Sequence, residues 1–365
     1  MLTPRQEVLA LTEVAHGAVN RTELNRLGID PASVLDFSAS VNPFGPSPHV
    51  LEAIRDSSVH CYPDRDCTAF RTALSSHLDI PIESLIAGNG SSELLYLIGL
   101  AFLRPADPVL IVGPTYSEYA RVAALMGSVV HSCEATSDDN FAFPTRPIET
   151  SLQTLQPRAV FVCHPNNPTG QLASLEALCQ WADEFRQTLF IFDEAYIEFV
   201  PNAVSLTKSI RDNVIVIRSM TKAHGLAGLR LGYAVSTPHV IDLLARVRPP
   251  WSVSTIAQNA GVAALQDVSH LERCLANLAA EKSLLVKSLA SLNAETLASE
   301  THFFLVRVGN AAAIRARFLG AGILVRDCTS FGMPEFLRIS PQTPTQNVAL
   351  SEAWRRCVTL QPQDQ

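Results

Sequence analysis

The chain has 365 residues, of which 47% are hydrophobic and 17% charged, with a formal net charge of −7. This composition is typical of a folded globular protein, excludes an intrinsically disordered chain and argues against general nucleic-acid binding. No apolar run approaches the roughly 18–20 residues that span a bilayer, and the first residues lack a signal-peptide core. We therefore expect a cytoplasmic protein with neither nucleic-acid nor membrane partners.

The eight cysteines are scattered along the chain. None forms a CxxC pair or has the spacing of metal ligands, so we expect reduced thiols and no metal site. A chain of this length exceeds one ordinary core, which favours one large and one smaller domain.

Short apolar runs in the middle of the chain alternate with helical patterns. The runs lie at 108–112, 159–163, 188–192 and 214–217, and each ends in a polar or Gly/Pro cluster. Continuous runs of this length suit strands buried on both faces of a largely parallel sheet. Helical patterns lie between them at 117–125 and 174–185. The alternation predicts a three-layer α/β/α domain that binds ligands at the carboxyl ends of its strands.

The pattern changes near Asp267. A long amphipathic helix is predicted over 271–292, followed by strands at 303–306, 323–325 and 336–339, a helix at 311–319 and a final helix. These elements predict an α+β small domain. We expect residues 1–40 to form an N-terminal segment that packs with the small domain, 41–266 to form the large domain, and 267–365 to form the small domain.

A lysine follows the apolar run 214–217 closely. Ser219, Thr221 and Lys222 come directly after that run, and Arg230 lies eight residues beyond Lys222. A lysine that leaves a buried strand can form a Schiff base with an aldehyde cofactor, while hydroxyls and a guanidinium hold the cofactor's phosphate. This group predicts a pyridoxal-phosphate enzyme with Lys222 as its central catalytic residue.

Two further polar groups stand at predicted strand ends. Asp193 closes the strand at 188–192, where its carboxylate can pair with a protonated pyridine nitrogen and keep the ring an electron sink. The alternative is a helix N-cap. Asn167, in the HPNNPTG segment, can donate to the cofactor's ring oxygen, with Tyr196 as a second donor. The alternative there is a plain Asn-Pro turn.

The segment GNGSSE at 88–93 precedes an apolar helix. Glycines, then the hydroxyls of Ser91 and Ser92, then a helix N-terminus form an anion site through free backbone N–H groups, although an ordinary capped helix would look similar. Tyr116 follows the strand at 108–112. Its ring can stack on the cofactor, or it can be a buried tyrosine with a bonded hydroxyl.

Two arginines lie in the predicted small domain. Arg338 occupies an apolar strand context, where a guanidinium needs an anionic partner such as a substrate carboxylate. An internal salt bridge is the competing interpretation. Arg326 follows the strand at 323–325 and can bind a second anion, unless the adjacent Asp327 neutralises it.

Taken in order, these motifs resemble the fold-type I class I/II aminotransferases, which depend on pyridoxal phosphate. The resemblance covers nearly the whole chain, through GNG at 88–90, PTY at 114–116, NNPTG at 166–170, DEA at 193–195, SxTK at 219–222 and GLRLG at 228–232. Two branches compete: threonine-phosphate decarboxylase of cobalamin synthesis and histidinol-phosphate aminotransferase. The first resembles the chain more at AHG 15–17, LDFSASVNP 35–43, PWSV 250–253 and ALQD 264–267.

The resemblance implies a role for each motif residue. Lys222 is the Schiff-base lysine, Asp193 the pyridinium partner and Tyr116 the ring-face residue. Asn167 and Tyr196 serve the ring oxygen. The residues implied to hold the cofactor phosphate are Ser91, Ser92, Ser219, Thr221 and Arg230, with Tyr62 reaching the phosphate of a neighbouring subunit in a homodimer. The residues implied to bind substrate are His16, Asn42, Arg326 and Arg338.

Three residues depart from the decarboxylase pattern. Ala18 replaces the second glycine of His-Gly-Gly, Ser40 replaces an asparagine, and His224 stands where relatives usually have an aromatic residue. These departures bear on the substrate and leave the cofactor chemistry unchanged.

The leading expectation is a lyase that decarboxylates L-threonine O-3-phosphate to aminopropanol phosphate. The alternative is histidinol-phosphate aminotransferase or a related class I/II aminotransferase. A different class of function is a non-enzymatic binding protein that has kept the fold, as in some transcriptional regulators. The intact Lys222, Asp193 and Arg230 argue against it.

Overall fold

The computed structural model describes residues 2–11 and 16–358. Its β-strands are β1 Leu35–Asp36, β2 Leu85–Asn89, β3 Pro108–Gly113, β4 Val129–Glu134, β5 Ala159–Cys163, β6 Leu189–Asp193, β7 Val214–Ser219, β8 Leu231–Val235, β9 Glu295–Thr296, β10 Phe304–Arg307, β11 Ile323–Leu324, β12 Arg326–Asp327 and β13 Phe336–Ile339. Its α-helices are α1 Gln6–Leu9, α2 Arg21–Leu27, α3 Pro48–Arg55, α4 Thr68–Leu78, α5 Gly90–Phe102, α6 Glu118–Leu125, α7 Thr145–Leu155, α8 Leu175–Glu184, α9 Pro238–Val247, α10 Thr255–Gln266, α11 Val268–Ala290, α12 Ala311–Gly320 and α13 Pro344–Cys357.

The large sheet has seven strands in the order β2-β8-β7-β6-β5-β3-β4. Strand β8 runs antiparallel to both of its neighbours, while β3 to β7 pair in parallel. The four apolar runs of the sequence form four neighbouring strands of this sheet. The predicted α/β fold with a mostly parallel sheet is therefore confirmed.

Helices cover both faces of the large sheet. Side chains alternate along each strand, so Val160 and Val162 of β5 join the core beneath α4, α7, α8 and α10. Ala159 and Phe161 of the same strand join the core beneath α5, α6 and α9. This two-sided burial explains why the strands read as continuous apolar runs.

A smaller sheet, in the order β12-β13-β10-β9, packs with α11, α12 and α13 around a core that contains Trp354. The strand predicted over 323–325 forms as β11 but ends at Leu324, and the short strand β12 follows it. Strand β11 pairs in parallel with β1, and β12 pairs antiparallel with β13. The chain changes partner at Val325, which is fully buried. Strand β1 thereby ties the N-terminal segment to the C-terminal part of the chain.

The N-terminal segment contacts both parts of the molecule. Arg5, beside α1, donates to the backbone oxygen of Leu125 in α6 at 2.8 Å. Glu23 in α2 instead pairs with Arg315 of α12 at 2.7 Å. Ala15, in the AHG motif, lies outside the described residues. The predicted domain boundaries stay a prediction. Within residues 2–11 and 16–358, no helix is both long and apolar enough to cross a membrane.

Candidate active site

A cavity of about 360 Å³ lies at the carboxyl ends of β5, β6 and β7. Residues of the small sheet and of the N-terminal segment close it from the other side. Twelve of the fifteen predicted site residues line this one cavity: His16, Ser91, Ser92, Tyr116, Asn167, Asp193, Tyr196, Thr221, Lys222, Arg230, Arg326 and Arg338. The ends of strands that are far apart in sequence meet there, because neighbouring parallel strands have their carboxyl ends at the same edge of the sheet.

The amine of Lys222 lies inside this cavity, three residues after the end of β7. Withdrawal from bulk water, together with Arg338 and Arg230 nearby, lowers the pKa of Lys222 to about 8, against an opposing effect of Asp193. Its Nζ lies 5.6 Å from the centre of the Tyr196 ring. A lysine with a lowered pKa carries a larger share of the neutral, nucleophilic amine near neutral pH.

The carboxylate of Asp193 is held by two donors. The hydroxyl of Tyr119 donates to Oδ2 at 2.9 Å, and the backbone N–H of Ala195 donates to Oδ1 at 3.0 Å. Asp193 is only 4% exposed, and burial raises its pKa despite these bonds. A buried carboxylate of this kind is stabilised by a cationic partner that faces it from the cavity.

Tyr119 is a residue that sequence reasoning missed. It is completely buried, its ring stacks on Phe161 at 5.3 Å, and its edge meets the ring of Tyr116 at 5.6 Å. Tyr116 lies two residues before α6 and Tyr119 lies in its first turn, so the N-terminal end of α6 contacts both the cavity and Asp193. In the sequence, the three-residue spacing between Tyr116 and Tyr119 was the feature that could have pointed to Tyr119.

The N-terminus of α5 forms the opposite end of the cavity. Ser91 and Ser92 lie in its first turn, where backbone N–H groups have no partner within the helix. Gly90 precedes them with φ +76, and a Cβ at this position would lie 2.5 Å from Nη2 of Arg230. Glycine is therefore needed for the guanidinium to reach the helix start. Thr221 joins this group, and its Oγ1 lies 2.7 Å from Oγ of Ser219.

Arg338 links the small sheet to the large one. Its Nη1 donates to Oδ1 of Asn167, and its Nη2 donates to the backbone oxygen of Ser38 at 2.6 Å. The guanidinium also lies 5.2 Å from the centre of the Phe303 ring. Because the amide oxygen of Asn167 already accepts from Arg338, its NH₂ group is the end left to donate to a ligand.

Arg326 and His16 also line the cavity. Arg326 donates to Oγ of Ser330 at 2.7 Å and lies 5.0 Å from the centre of the Phe331 ring. Nε2 of His16 lies 3.3 Å from Oε1 of Glu118. Glu118 therefore provides an internal acceptor for the histidine that was expected to face a substrate phosphate.

Three predicted site residues do not line the cavity. Both ends of the Asn42 amide bond to backbone, with Nδ2 donating to the oxygen of Ala223 at 3.0 Å and Oδ1 accepting from the N–H of Phe44 at 3.0 Å. Asn42 therefore holds the loop beside Lys222 and does not line the cavity. Ser219 is buried beneath Thr221, and Tyr62 is 79% exposed on the surface.

The three residues that depart from the decarboxylase pattern lie in different parts of the structure. Ala18 has φ +95, in the left-handed region that favours glycine, and both it and Ser40 line the cavity. His224 does not line it. Burial lowers the pKa of His224 to about 4, and the charges of Glu198, Arg218 and His77 also act on it.

The donor set fits pyridoxal phosphate. An anion cradle stands at one end of the cavity, a buried carboxylate at the other, a lysine amine with a lowered pKa between them, and an aromatic ring at the side. The glycine at position 90 leaves room for the guanidinium of the cradle. Each of these groups matches one part of the cofactor: phosphate, ring nitrogen, aldehyde and ring face.

Comparison with known proteins agrees with this geometry. The family model "Aminotransferase class I and II" matches residues 32–352. The chain belongs to the aminotransferase class I and II family. Its cofactor is pyridoxal phosphate, as the sequence predicted. Two curated histidinol-phosphate aminotransferases are similar: one from Moorella thermoacetica is 32% identical over 96% of this chain and 92% of its own length, and one from Haloarcula marismortui is 37% identical over 86% and 87%.

Solved structures show the same fold. The histidinol-phosphate aminotransferase of Sinorhizobium meliloti, in complex with pyridoxal-5'-phosphate, superposes with a TM-score of 0.87 at 26% identity, covering 97% of each chain. The L-threonine-O-3-phosphate decarboxylase of Porphyromonas gingivalis gives a TM-score of 0.78 at 24% identity, covering 88% of this chain and 98% of that one. The second likeness shows the fold alone.

The leading functional expectation from the sequence is therefore wrong. Curated relatives at 30% to 37% identity are histidinol-phosphate aminotransferases, and none of these comparisons supports a decarboxylase to the same degree. The expectation depended on short segments such as PWSV and LDFSASVNP. These segments are short, whereas the curated relatives match over 86% to 96% of the chain.

Proposed function

We propose that this enzyme is an aminotransferase that moves an amino group between glutamate and imidazole-acetol phosphate, giving histidinol phosphate. The single observation that carries the proposal is the charge of the cavity. Among the described residues that line it, four carry positive charge, Lys222, Arg230, Arg326 and Arg338, and one, Asp193, is a carboxylate. Arg230 belongs to the cofactor cradle, so Arg326 and Arg338 are the guanidinium groups that can meet substrate anions.

Two guanidiniums suit both substrates of such a reaction. The phosphate of imidazole-acetol phosphate and the carboxylates of glutamate are each recognised by charge-assisted hydrogen bonds, which guanidinium groups form with defined geometry. Arg338 is anchored by Asn167 and Ser38, so it holds a fixed position in the cavity. The curated relatives that carry the name histidinol-phosphate aminotransferase support the same assignment.

Pyridoxal phosphate supplies an electron sink that stabilises negative charge at the substrate's Cα. Residues of the chain move the proton and set the charge on the cofactor ring. Lys222 is positioned to move the proton at Cα, because its amine lies in the cavity and its pKa of about 8 suits both uptake and release of a proton. Asp193 keeps positive charge on the ring nitrogen. Burial raises the pKa of Tyr196 to about 12, so its hydroxyl stays a donor at neutral pH.

We propose further that the enzyme is a homodimer with shared sites, in which Tyr62 of each chain reaches the cofactor phosphate held by the other. The exposure of Tyr62 in the single chain supports this proposal. A tyrosine left 79% exposed gains burial and a hydrogen-bond partner when a second copy covers it.

The substrate proposal is tested with histidinol phosphate and 2-oxoglutarate, by following glutamate formation. We expect saturable turnover, and we expect Arg326→Met to raise KM for the phosphorylated substrate about 10-fold to 100-fold, because one charge-assisted hydrogen-bonding group is lost. The absorbance of the bound cofactor is expected to stay unchanged in that variant. Efficient transamination of unphosphorylated amino acids, with no turnover of histidinol phosphate, would refute the assignment.

A further inference from the structure

Two exposed aromatic side chains stack on the surface beside the cofactor-phosphate end of the cavity. Tyr62 is 79% exposed and Trp251 is 46% exposed. Their ring centroids are 4.6 Å apart and their planes are inclined by 26°. The two residues lie far apart in sequence, so the contact exists only in the folded chain. Stacking limits the directions in which the Tyr62 hydroxyl can point.

The backbone of Trp251 is strained. Its φ of +58 lies in the left-handed region, which a bulky side chain rarely adopts. Hydrogen bonds hold the segment on both sides of it: Arg248, three residues earlier, donates to the backbone oxygen of Ala87 at 3.3 Å, and Ser252 donates to Oε2 of Glu93 at 3.0 Å. A strained residue that is held from both sides and presents a large exposed ring points to a function for that ring.

The same contacts place Trp251 close to the cofactor cradle of its own chain. Oε2 of Glu93, which accepts from Ser252, also accepts from the backbone N–H of Asn89 at 2.6 Å. Asn89 directly precedes α5, whose first turn forms the cradle. In a two-fold dimer, a surface that gives a side chain to the partner's site lies near the same axis as the site that receives one. The Tyr62–Trp251 pair therefore lies where a two-fold dimer would need it, if each chain gives the Tyr62 side chain to the cofactor site of the other.

We propose that Trp251 is a positioning residue that holds Tyr62 so that its hydroxyl reaches the cofactor-phosphate cradle of a second copy of this chain. The inference rests on the proposed homodimer. Trp251 acts through Tyr62 and does not itself touch the cofactor. Its effect is therefore exerted on the partner's site, whereas Ser252 and Glu93 act on the site of their own chain.

The test measures the dissociation constant of pyridoxal phosphate by titration of the full-length apo-protein. Trp251→Ala and Tyr62→Ala are each expected to weaken binding about 3-fold to 10-fold, the range that a stacked aromatic pair contributes. The double variant is expected to bind no more weakly than Tyr62→Ala alone, because both changes remove one interaction. Trp251→Phe keeps a stacking ring and is expected to restore binding to within about 2-fold.

Mixed dimers separate an effect on the partner from an effect within the chain. A Trp251→Ala chain paired with a Lys222→Ala chain contains one site with an intact lysine and an intact Tyr62–Trp251 pair from the other subunit. Titrated by the absorbance of the lysine-bound cofactor, that site is expected to regain native affinity. Ser252→Ala, the matched control, perturbs its own chain's cradle, and the same pairing is expected to leave its affinity unrestored.

Three results would overturn the proposal: additive losses in the double variant, a Trp251→Ala/Lys222→Ala dimer that stays as weak as the Trp251→Ala homodimer, or a monomer in sedimentation experiments. The last result would also remove the proposed dimer. Normal cofactor binding without turnover of histidinol phosphate would instead count against the substrate proposal alone.

Discussion

The hydrogen bond from Tyr119 to Asp193 gives the sharpest mechanistic prediction. Tyr119→Phe removes one donor from Oδ2 of a buried carboxylate and leaves the backbone N–H of Ala195 on Oδ1. The ring itself is kept, so packing against Phe161 and Tyr116 is preserved. Loss of this donor raises the pKa of Asp193 further, because the bond favours the charged form. Asp193 then holds a proton more tightly and leaves less positive charge on the ring nitrogen.

The size of the effect follows from the 2.9 Å bond and the charge of its acceptor. A hydrogen bond to a charged group contributes about 1.5–3 kcal/mol, which corresponds to about 10-fold to 100-fold in rate. We expect kcat/KM to fall by this factor and the affinity for pyridoxal phosphate to fall with it, since the ring nitrogen loses part of its anionic partner.

Stopped-flow measurement of the half-reaction with histidinol phosphate is the direct assay. Tyr233→Phe is the matched control, because Tyr233 is also buried but packs in the core on the face of the sheet opposite to Tyr119. Its kinetics are expected to match the parent enzyme. A Tyr119→Phe enzyme that reacts within about 2-fold of the parent, or equal losses in both variants, would refute the reasoning.

Three further predictions concern the amine, the cradle and the buried charges. The rate of cofactor incorporation into apo-enzyme should rise with pH and level off above about 8, because the neutral amine of Lys222 is the nucleophile; a rise that continues to pH 10.5 would contradict this. Gly90→Ala should weaken cofactor binding about 10-fold or more in a titration, since the new Cβ would lie 2.5 Å from Nη2 of Arg230. Arg218→Met should lower the free energy of unfolding in urea by about 3–5 kcal/mol, because it leaves the buried Glu194 carboxylate, 3.4 Å from the guanidinium, without its cation.

Matched variants separate these effects from general damage. Gly228 lies close in sequence to Arg230, and a Cβ added there would have open space for 4 Å around it, so Gly228→Ala should bind the cofactor normally. Arg246 pairs with Asp242 on the surface, and Arg246→Met should change stability by less than about 1 kcal/mol. An unchanged affinity in Gly90→Ala, or an equal loss of stability in both arginine variants, would contradict the respective prediction.

Much of the cofactor site was predictable because several of its groups follow a strand in sequence. Asp193 closes β6, Lys222 follows β7, and Asn167 follows β5. A buried parallel strand is recognisable in sequence as an apolar run. The residues that follow the run lie at the carboxyl end of the strand, where such sheets bind ligands. The chemistry of each residue type then narrowed the ligand to an aldehyde with a phosphate.

Contacts between distant segments were not predictable in the same way. Arg338 and Asn167 are 171 residues apart, and Asn42 and Ala223 are 181 apart. The sequence suggested Asn42 as a substrate residue, but its amide bonds to the backbone of Ala223 and Phe44 and does not line the cavity. The distinction between decarboxylation and amino transfer also escaped the sequence, since it depends on how the cavity orients a substrate bond and not on which residues are present.

The amino-acid sequence by itself determined the sheet, its apolar strands and the identity of the cofactor, because hydrophobic periodicity and residue chemistry are local properties of the chain. Only the tertiary structure decided that Tyr119 supports Asp193, that Arg338 bonds to Asn167, and that Trp251 stacks on Tyr62. Each of these pairs depends on how separate helices and strands pack, and that packing is set by the shape of the whole core.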